Sequence, residues 1–221
     1  MTSLADRLES VTAEVADAVR AADRDPAEVT TIVVTKVHPA SLVRELFELG
    51  VRDVGENRHQ DAAPKAAELA SLPLTWHFIG QLQSKKARAV LEYSRILHSL
   101  DRPSLVDVLA GSEVDAFVQL NLTDDPGRGG VQPTELDAFV ERVLEASTIR
   151  LRGLMAVAPL GEEPRAAFAR VRQASERLRT LAPDATALSM GMSGDFGAAV
   201  LEGATHLRIG TAITGNRPTP P

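Results

Sequence analysis

Thr31-Ile32-Val33-Val34-Thr35-Lys36-Val37-His38-Pro39 is a short apolar, β-branched run that ends in a lysine and is cut off by a proline. Such a run predicts a buried strand with Lys36 at its C-terminal end, because β-branched side chains suit a pleated interior and proline cannot continue the ladder. The lysine has two readings. It either carries its ammonium to water along an apolar stem, or sits in a partly dry pocket where desolvation lowers its pKa and frees the amine to attack a carbonyl.

Ahead of this run, Leu4, Leu8, Val11, Val15 and Val19 recur at three- and four-residue steps, which predicts an amphipathic helix over 3–22. After it, apolar strand candidates at 51–54, 74–79, 95–100, 115–121, 150–157, 187–192 and 206–213 alternate with helical candidates at 40–50, 58–71, 82–93, 102–111, 133–147, 162–181 and 194–203. Strict alternation implies parallel strands joined by right-handed crossovers, and eight such strands close most naturally on themselves. The expected fold is therefore α/β: a single (β/α)8 TIM-type barrel over 1–221, with an extra N-terminal helix. A doubly wound open sheet is the alternative, disfavoured because no Gly-rich dinucleotide turn follows the first strand. Asp124-Asp125-Pro126-Gly127-Arg128-Gly129-Gly130 reads as a mobile flap beside the fifth strand, and the Pro-rich segment 218–221 as a disordered tail.

Bulk properties narrow the class of function. A formal charge of -6 and a pI near 5.4 argue against nucleic acid or an anionic membrane as the main partner. There is no cysteine, hence no disulfide framework, thiolate nucleophile or cysteine metal site. No stretch of about 18 apolar residues occurs, and Met1 to Glu9 lacks the apolar core of a signal peptide. A cytoplasmic protein without metal is expected.

In a barrel the chemistry projects from the C-terminal ends of the strands. Those positions carry Lys36, Glu56 with Asn57, His77, His98 with Ser99, Asn121, Met155, Ser189 with Ser193, and Arg208 with Gly210 and Thr211. Taken singly, His77, His98 and Asn121 read as polar residues with a structural task. Ser193 reads as the N-cap of the following helix, and the glycine-bearing turns after strands seven and eight suggest a phosphate site. A phosphate site facing a lysine capable of a Schiff base suggests pyridoxal 5′-phosphate.

The motifs Val34-Thr35-Lys36, Gly55-Glu56-Asn57, Trp76-His77-Phe78-Ile79-Gly80-Gln81-Leu82-Gln83-Ser84-Lys85-Lys86, His98-Ser99-Leu100-Asp101, Leu151-Arg152-Gly153-Leu154-Met155, Leu188-Ser189-Met190-Gly191-Met192-Ser193 and Arg208-Ile209-Gly210-Thr211-Ala212 run in order along nearly the whole chain. Together they resemble the pyridoxal phosphate homeostasis protein family, itself similar to the N-terminal barrel of alanine racemases. The resemblance implies that Lys36 forms the internal aldimine, that Arg208 faces the pyridine nitrogen, and that Ser193, Gly210 and Thr211 bind phosphate. Asn57, Met155 and Ser189 then line the cofactor. Arg58, Lys85, Gly129 and Thr214 depart from the family pattern at the rim of the site.

The resemblance further implies a carrier that holds pyridoxal phosphate and supplies it inside the cell without efficient catalysis, so that no residue is assigned a catalytic role. Apo forms of pyridoxal phosphate enzymes would be its partners. An amino-acid racemase is the alternative. Alanine racemases use a tyrosine from a C-terminal domain as the second base, whereas this chain ends at Pro221 with Tyr93 as its single tyrosine; for the same reason a monomer is expected. A cofactor-independent lysine aldolase is a third possibility.

Overall fold

The computed structural model describes residues 2–216; the tail expected at 218–221 lies outside them. Eight parallel strands, β1 (Thr30–Val34), β2 (Asp53–Glu56), β3 (Thr75–Phe78), β4 (Ile96–Leu100), β5 (Val114–Gln119), β6 (Ile149–Met155), β7 (Ala187–Ser189) and β8 (His206–Ile209), close in chain order into one barrel. Ile32 and Val33 of β1 pair with Arg208 and Ile209 of β8 to complete the circle. Around it run α1 (Leu4–Ala21), α2 (Ala40–Glu48), α3 (His59–Glu68), α4 (Ala87–Val90), α5 (Pro103–Leu109), α6 (Leu136–Glu145), α7 (Pro164–Leu181), α8 (Phe196–Leu201) and α9 (Thr211–Thr214).

The leading helix forms for local reasons. Ser3 and Asp6 make a reciprocal capping box, and Leu4, Val11, Val15 and Val19 fall on one buried stripe. That stripe packs on α8 and α9, where Arg7 Nε donates to Ile213 O at 2.7 Å.

Most apolar burial lies between the strands and the surrounding helices. Inside the barrel the apolar cluster is small, namely Phe117, Met155 and Ala187 with half-buried Ile96. The rest of the barrel interior includes the buried polar side chains of His77, His98, Ser189 and Arg208.

Three local expectations are corrected. The first strand ends at Val34, not Lys36, because the His38 N–H turns back to Thr35 O just before Pro39. The last strand ends at Ile209: Gly210 O accepts the N–H groups of Ile213 and Thr214, both at 2.9 Å, and winds 211–214 into a helical turn. The alternation of Ile209 and Ile213 with polar residues imitates a strand, but it comes from one helical turn. The single helix expected at 82–93 is a 3-10 turn (Ser84–Lys86) followed by the one-turn α4.

Candidate functional site

Lys36 stands two residues beyond β1, exposed at the barrel mouth. Val37, next to it, takes φ +64°, a left-handed backbone that costs a β-branched residue on the order of 1–3 kcal/mol. Below the turn, Thr35 Oγ1 donates to Glu56 Oε1 at 2.7 Å. The Lys65 ammonium, from α3, donates to Thr35 O at 2.9 Å and to the same carboxylate oxygen. All three groups are buried. Desolvation offsets much of the attraction in such a pair, so its effect is geometric more than energetic: it clamps the residue that precedes Lys36. Lys65 was not legible as a site residue, because nothing in its neighbourhood shows that α3 turns it inward. Glu56, inside the Gly55-Glu56-Asn57 motif, was the available signal.

Arg208 enters the barrel from β8. Its Nη1 donates to Ser189 O at 2.6 Å and Ser189 Oγ at 2.7 Å, and its Nη2 donates to Ala156 O at 2.9 Å. All three acceptors are neutral. Burial pulls this guanidinium down to about 10 against the opposing field of Asp195, and at neutral pH it stays a cation. A guanidinium has five N–H donors, so these bonds leave two for a ligand.

Ser189 is buried with its hydroxyl engaged by Arg208 and, at 2.8 Å, by His98 Nδ1. Met155 pairs with Ser189 in the β6–β7 register and belongs to the apolar cluster below the mouth.

The loops after β7 and β8 meet: Ser193 Oγ accepts from Ala212 N–H at 3.4 Å, which brings Ser193 beside Gly210 and Thr211. Ser193 is not a helix N-cap, a further correction to the sequence reading. Asp195 Oδ1 accepts from Met192 N–H at 2.6 Å and closes the loop on itself, so α8 starts only at Phe196 and Ser193 is left free of the helix. Thr214 turns inward, with its hydroxyl donating to Gly210 O at 3.1 Å.

Asn57 is held by a close approach: a Cβ on Gly80 would lie 2.1 Å from Asn57 O, so only glycine lets β3 end against that backbone. Its Oδ1 is buried without a partner among the described residues, and Asn57 lines a hollow of about 430 Å³ together with Arg58, Gln81 and Lys86. Asn121 builds the flap rather than a ligand site, accepting from Thr123 N–H and donating to Asp125 O, both at 2.9 Å. A larger open cleft of about 1010 Å³ lies at the opposite face, at the N-terminal ends of β4, β5 and β6. Its acid Asp115 is already paired with Arg150 and Arg152.

The buried imidazoles make stability depend on pH. Burial holds His98 well below its ordinary range, helped by the charge of Arg208, and burial takes His206 down to about 4. Unfolded histidines protonate near 6.5, so between that value and about 4 the unfolded chain binds more protons than the folded one. Stability is therefore complete above about pH 6.5 and falls as the pH drops, by about 3 kcal/mol from His206 alone. Urea midpoints at pH 7.5, 5.5 and 4.5 measure this, and His206→Gln should flatten the profile; equal midpoints in the wild-type chain would refute it.

An amine at the mouth of a closed (β/α)8 barrel, two hydroxyl- and glycine-bearing turns in contact and a buried guanidinium with free donors define a small-molecule-binding barrel of the alanine racemase type. Accordingly, the family described as alanine racemase, N-terminal domain, matches residues 8–218. The pyridoxal phosphate homeostasis protein of Pseudomonas aeruginosa is 42% identical over 227 residues, covering 98% of this chain and 97% of its own. That of Escherichia coli K12 is 37% identical, with 98% of both chains covered. The structure of PipY from Synechococcus elongatus PCC7942 with pyridoxal phosphate bound superposes with a TM-score of 0.83 at 38% identity, covering 96% of this chain and 100% of the other. The chain belongs to the pyridoxal phosphate homeostasis protein family.

Proposed function

We propose that this chain binds pyridoxal 5′-phosphate at the barrel mouth and serves its intracellular supply without efficient catalysis. The observation that carries the reading is the buried Arg208 guanidinium, held by neutral acceptors, with two donors unspent beneath the mouth where Lys36 is exposed. The donor set suits a ligand with three polar ends. Lys36 supplies an amine for an aldehyde carbon. Arg208 offers N–H groups to a ring nitrogen, and Ser193, Gly210 and Thr211 offer hydroxyls and bare backbone to a phosphate. Asn57 and Met155 border the space between, and Ser189 orients Arg208 from below. When bound, the cofactor supplies a reactive aldehyde on an electron-withdrawing ring.

Weak catalysis follows from what stands around Lys36. Arg208 as a permanent cation disfavours protonating the ring nitrogen, because a second positive charge would sit beside it. Nor are Tyr93, His77 and His98 placed to act as a second acid–base group. Tyr93 stacks on His59 on the outer side of the barrel, and His77 and His98 are bonded to each other inside it. The proposed setting is cytoplasmic, the proposed partners are apo forms of pyridoxal phosphate enzymes, and the proposed working unit is a monomer. No helix among the described residues is long and apolar enough to cross a membrane.

Two measurements test the reading. Incubating the loaded protein with L-alanine in deuterated water should show α-deuteration only at trace level, since a missing acid–base partner costs about 10²–10⁴ in rate. Turnover near 1 s⁻¹ that is abolished by Lys36→Ala would make the protein an enzyme, at the low end of ordinary rates. Gly210→Ala probes the phosphate end. The added methyl would meet Val34 Cβ at 3.6 Å, an ordinary contact that the fold accepts, so any change in binding arises at the ligand. Affinity for pyridoxal phosphate should fall by about tenfold, or about 1.4 kcal/mol, while affinity for pyridoxal stays the same. Equal losses for both would place the phosphate elsewhere.

A further inference from the structure

The barrel interior contains a continuous column of polar side chains from one face to the other. Asp53, at the N-terminal end of β2, has a side chain 32% exposed and lies 3.0 Å from His77 Nε2. His77 Nδ1 is 3.0 Å from His98 Nε2, His98 Nδ1 is 2.8 Å from Ser189 Oγ, and Ser189 Oγ accepts from Arg208. Five side chains from β2, β3, β4, β7 and β8 form one chain of hydrogen bonds.

Its two ends dictate its direction. A guanidinium can only donate and an ionised carboxylate can only accept. With Asp53 accepting from Nε2–H, a neutral His77 presents Nδ1 as an acceptor. His98 must then carry its proton on Nε2 and accept at Nδ1. The Ser189 hydroxyl gives its proton to that nitrogen and takes one from Arg208. Each hydrogen is used once, and none points at another. The competing arrangement, with an imidazolium at His77 and Nδ1–H on His98, leaves the Ser189 hydroxyl proton without an acceptor and puts a second cation in the interior that already holds Arg208.

The column also answers an energetic question. A buried cation with no carboxylate in contact costs several kcal/mol; every acceptor that Arg208 touches is neutral, and Asp195 acts on it only through its field. Aligned hydrogen-bond dipoles in a low-dielectric interior strengthen one another, and here they end on a carboxylate. We propose that Asp53, His77, His98 and Ser189 form a one-way relay that aims Arg208 at its ligand and adds a counter-charge from the opposite face of the barrel. The four are positioning residues. Their effect on the cofactor rests on the reading that Arg208 meets the ring nitrogen of pyridoxal phosphate.

The experiment has two arms. In ¹⁵N-histidine-labelled protein at pH 7, His77 and His98 should both be neutral with the proton on Nε2, before and after loading with pyridoxal phosphate. An imidazolium at His77 or an Nδ1–H proton on His98 overturns the relay, whatever binds at the mouth. In the second arm, Asp53→Asn keeps shape and acceptor but removes the charge. Its thermal melting should show an intact fold, its affinity for pyridoxal phosphate should fall about fivefold, and the visible band of the bound cofactor should shift. In an Arg208→Gln background the same change should do nothing more. Additive losses would show that Asp53 does not act through Arg208 and would overturn the relay. If Arg208→Gln by itself left affinity and band unchanged, the assignment of Arg208 to the cofactor would fall, and the tautomers would report separately on the column.

Discussion

Lys36→Ala should abolish covalent retention of pyridoxal phosphate: after borohydride reduction, the wild-type chain carries the label on Lys36 and the variant carries none. The chain has four lysines, Lys36, Lys65, Lys85 and Lys86, so the mapping is unambiguous. Lys65 cannot substitute, because its ammonium is buried and committed to Glu56 and Thr35 O. A nucleophilic amine must be free to reach its carbonyl, and this one is tied to Glu56 and Thr35 O below the turn. Lys85 and Lys86 lie in the 3-10 turn after β3. The fold should not notice the change, since Lys36 is exposed and the clamp on Thr35 uses that residue's own backbone and hydroxyl. A variant that still acquired the label at Lys65 under native conditions would remove Lys36 from the site.

Gly153→Ala should be the most damaging single methyl in the barrel. Gly153 sits in β6 at φ +148°, and a Cβ there would lie 1.8 Å from Ala187 O and 2.9 Å from Ala187 N on β7. Both obstacles are backbone, so no side chain can swing aside and the two strands must part. Overpacking of a rigid core typically costs about 1–3 kcal/mol, and the positive φ adds about 1 kcal/mol more. The expected loss is therefore on the order of 4 kcal/mol, measured by urea unfolding. Since Gly153 pairs with Ala187 two residues before Met155 pairs with Ser189, binding at the mouth should weaken with it. A loss below about 1 kcal/mol would mean that β6 and β7 have slack that their register does not show.

The element order was legible because burial patterning is local. Leu4, Val11, Val15 and Val19 announce α1 by their spacing alone, and every predicted strand finds its counterpart among β1 to β8. Boundaries were less legible where a turn competes with the pattern, as at Lys36 and at 211–214, because the deciding hydrogen bonds run to Thr35 O and Gly210 O rather than along a strand. Ser193 was misread for a similar reason. Its sequence position suits a cap, but Asp195 reaches Met192 N–H first.

The order of strands and helices and the motifs that mark the family were determined by the sequence, since each element and each motif depends on residues close together in the chain. What surrounds those motifs was decided by closure alone. His77 and His98 read singly as polar residues at strand ends, and Lys65 as one more helical lysine. Arg208 meets Ser189 across the β7–β8 pair, but only in the closed barrel does His98 of β4 stand opposite Ser189 of β7 and join His77 and Asp53 to the same chain of bonds. Those partners lie 19 to 91 positions apart in pairs along the chain. A one-dimensional pattern records which face a side chain turns to, but not which strand stands opposite, and the charge state of a buried group depends on what stands opposite.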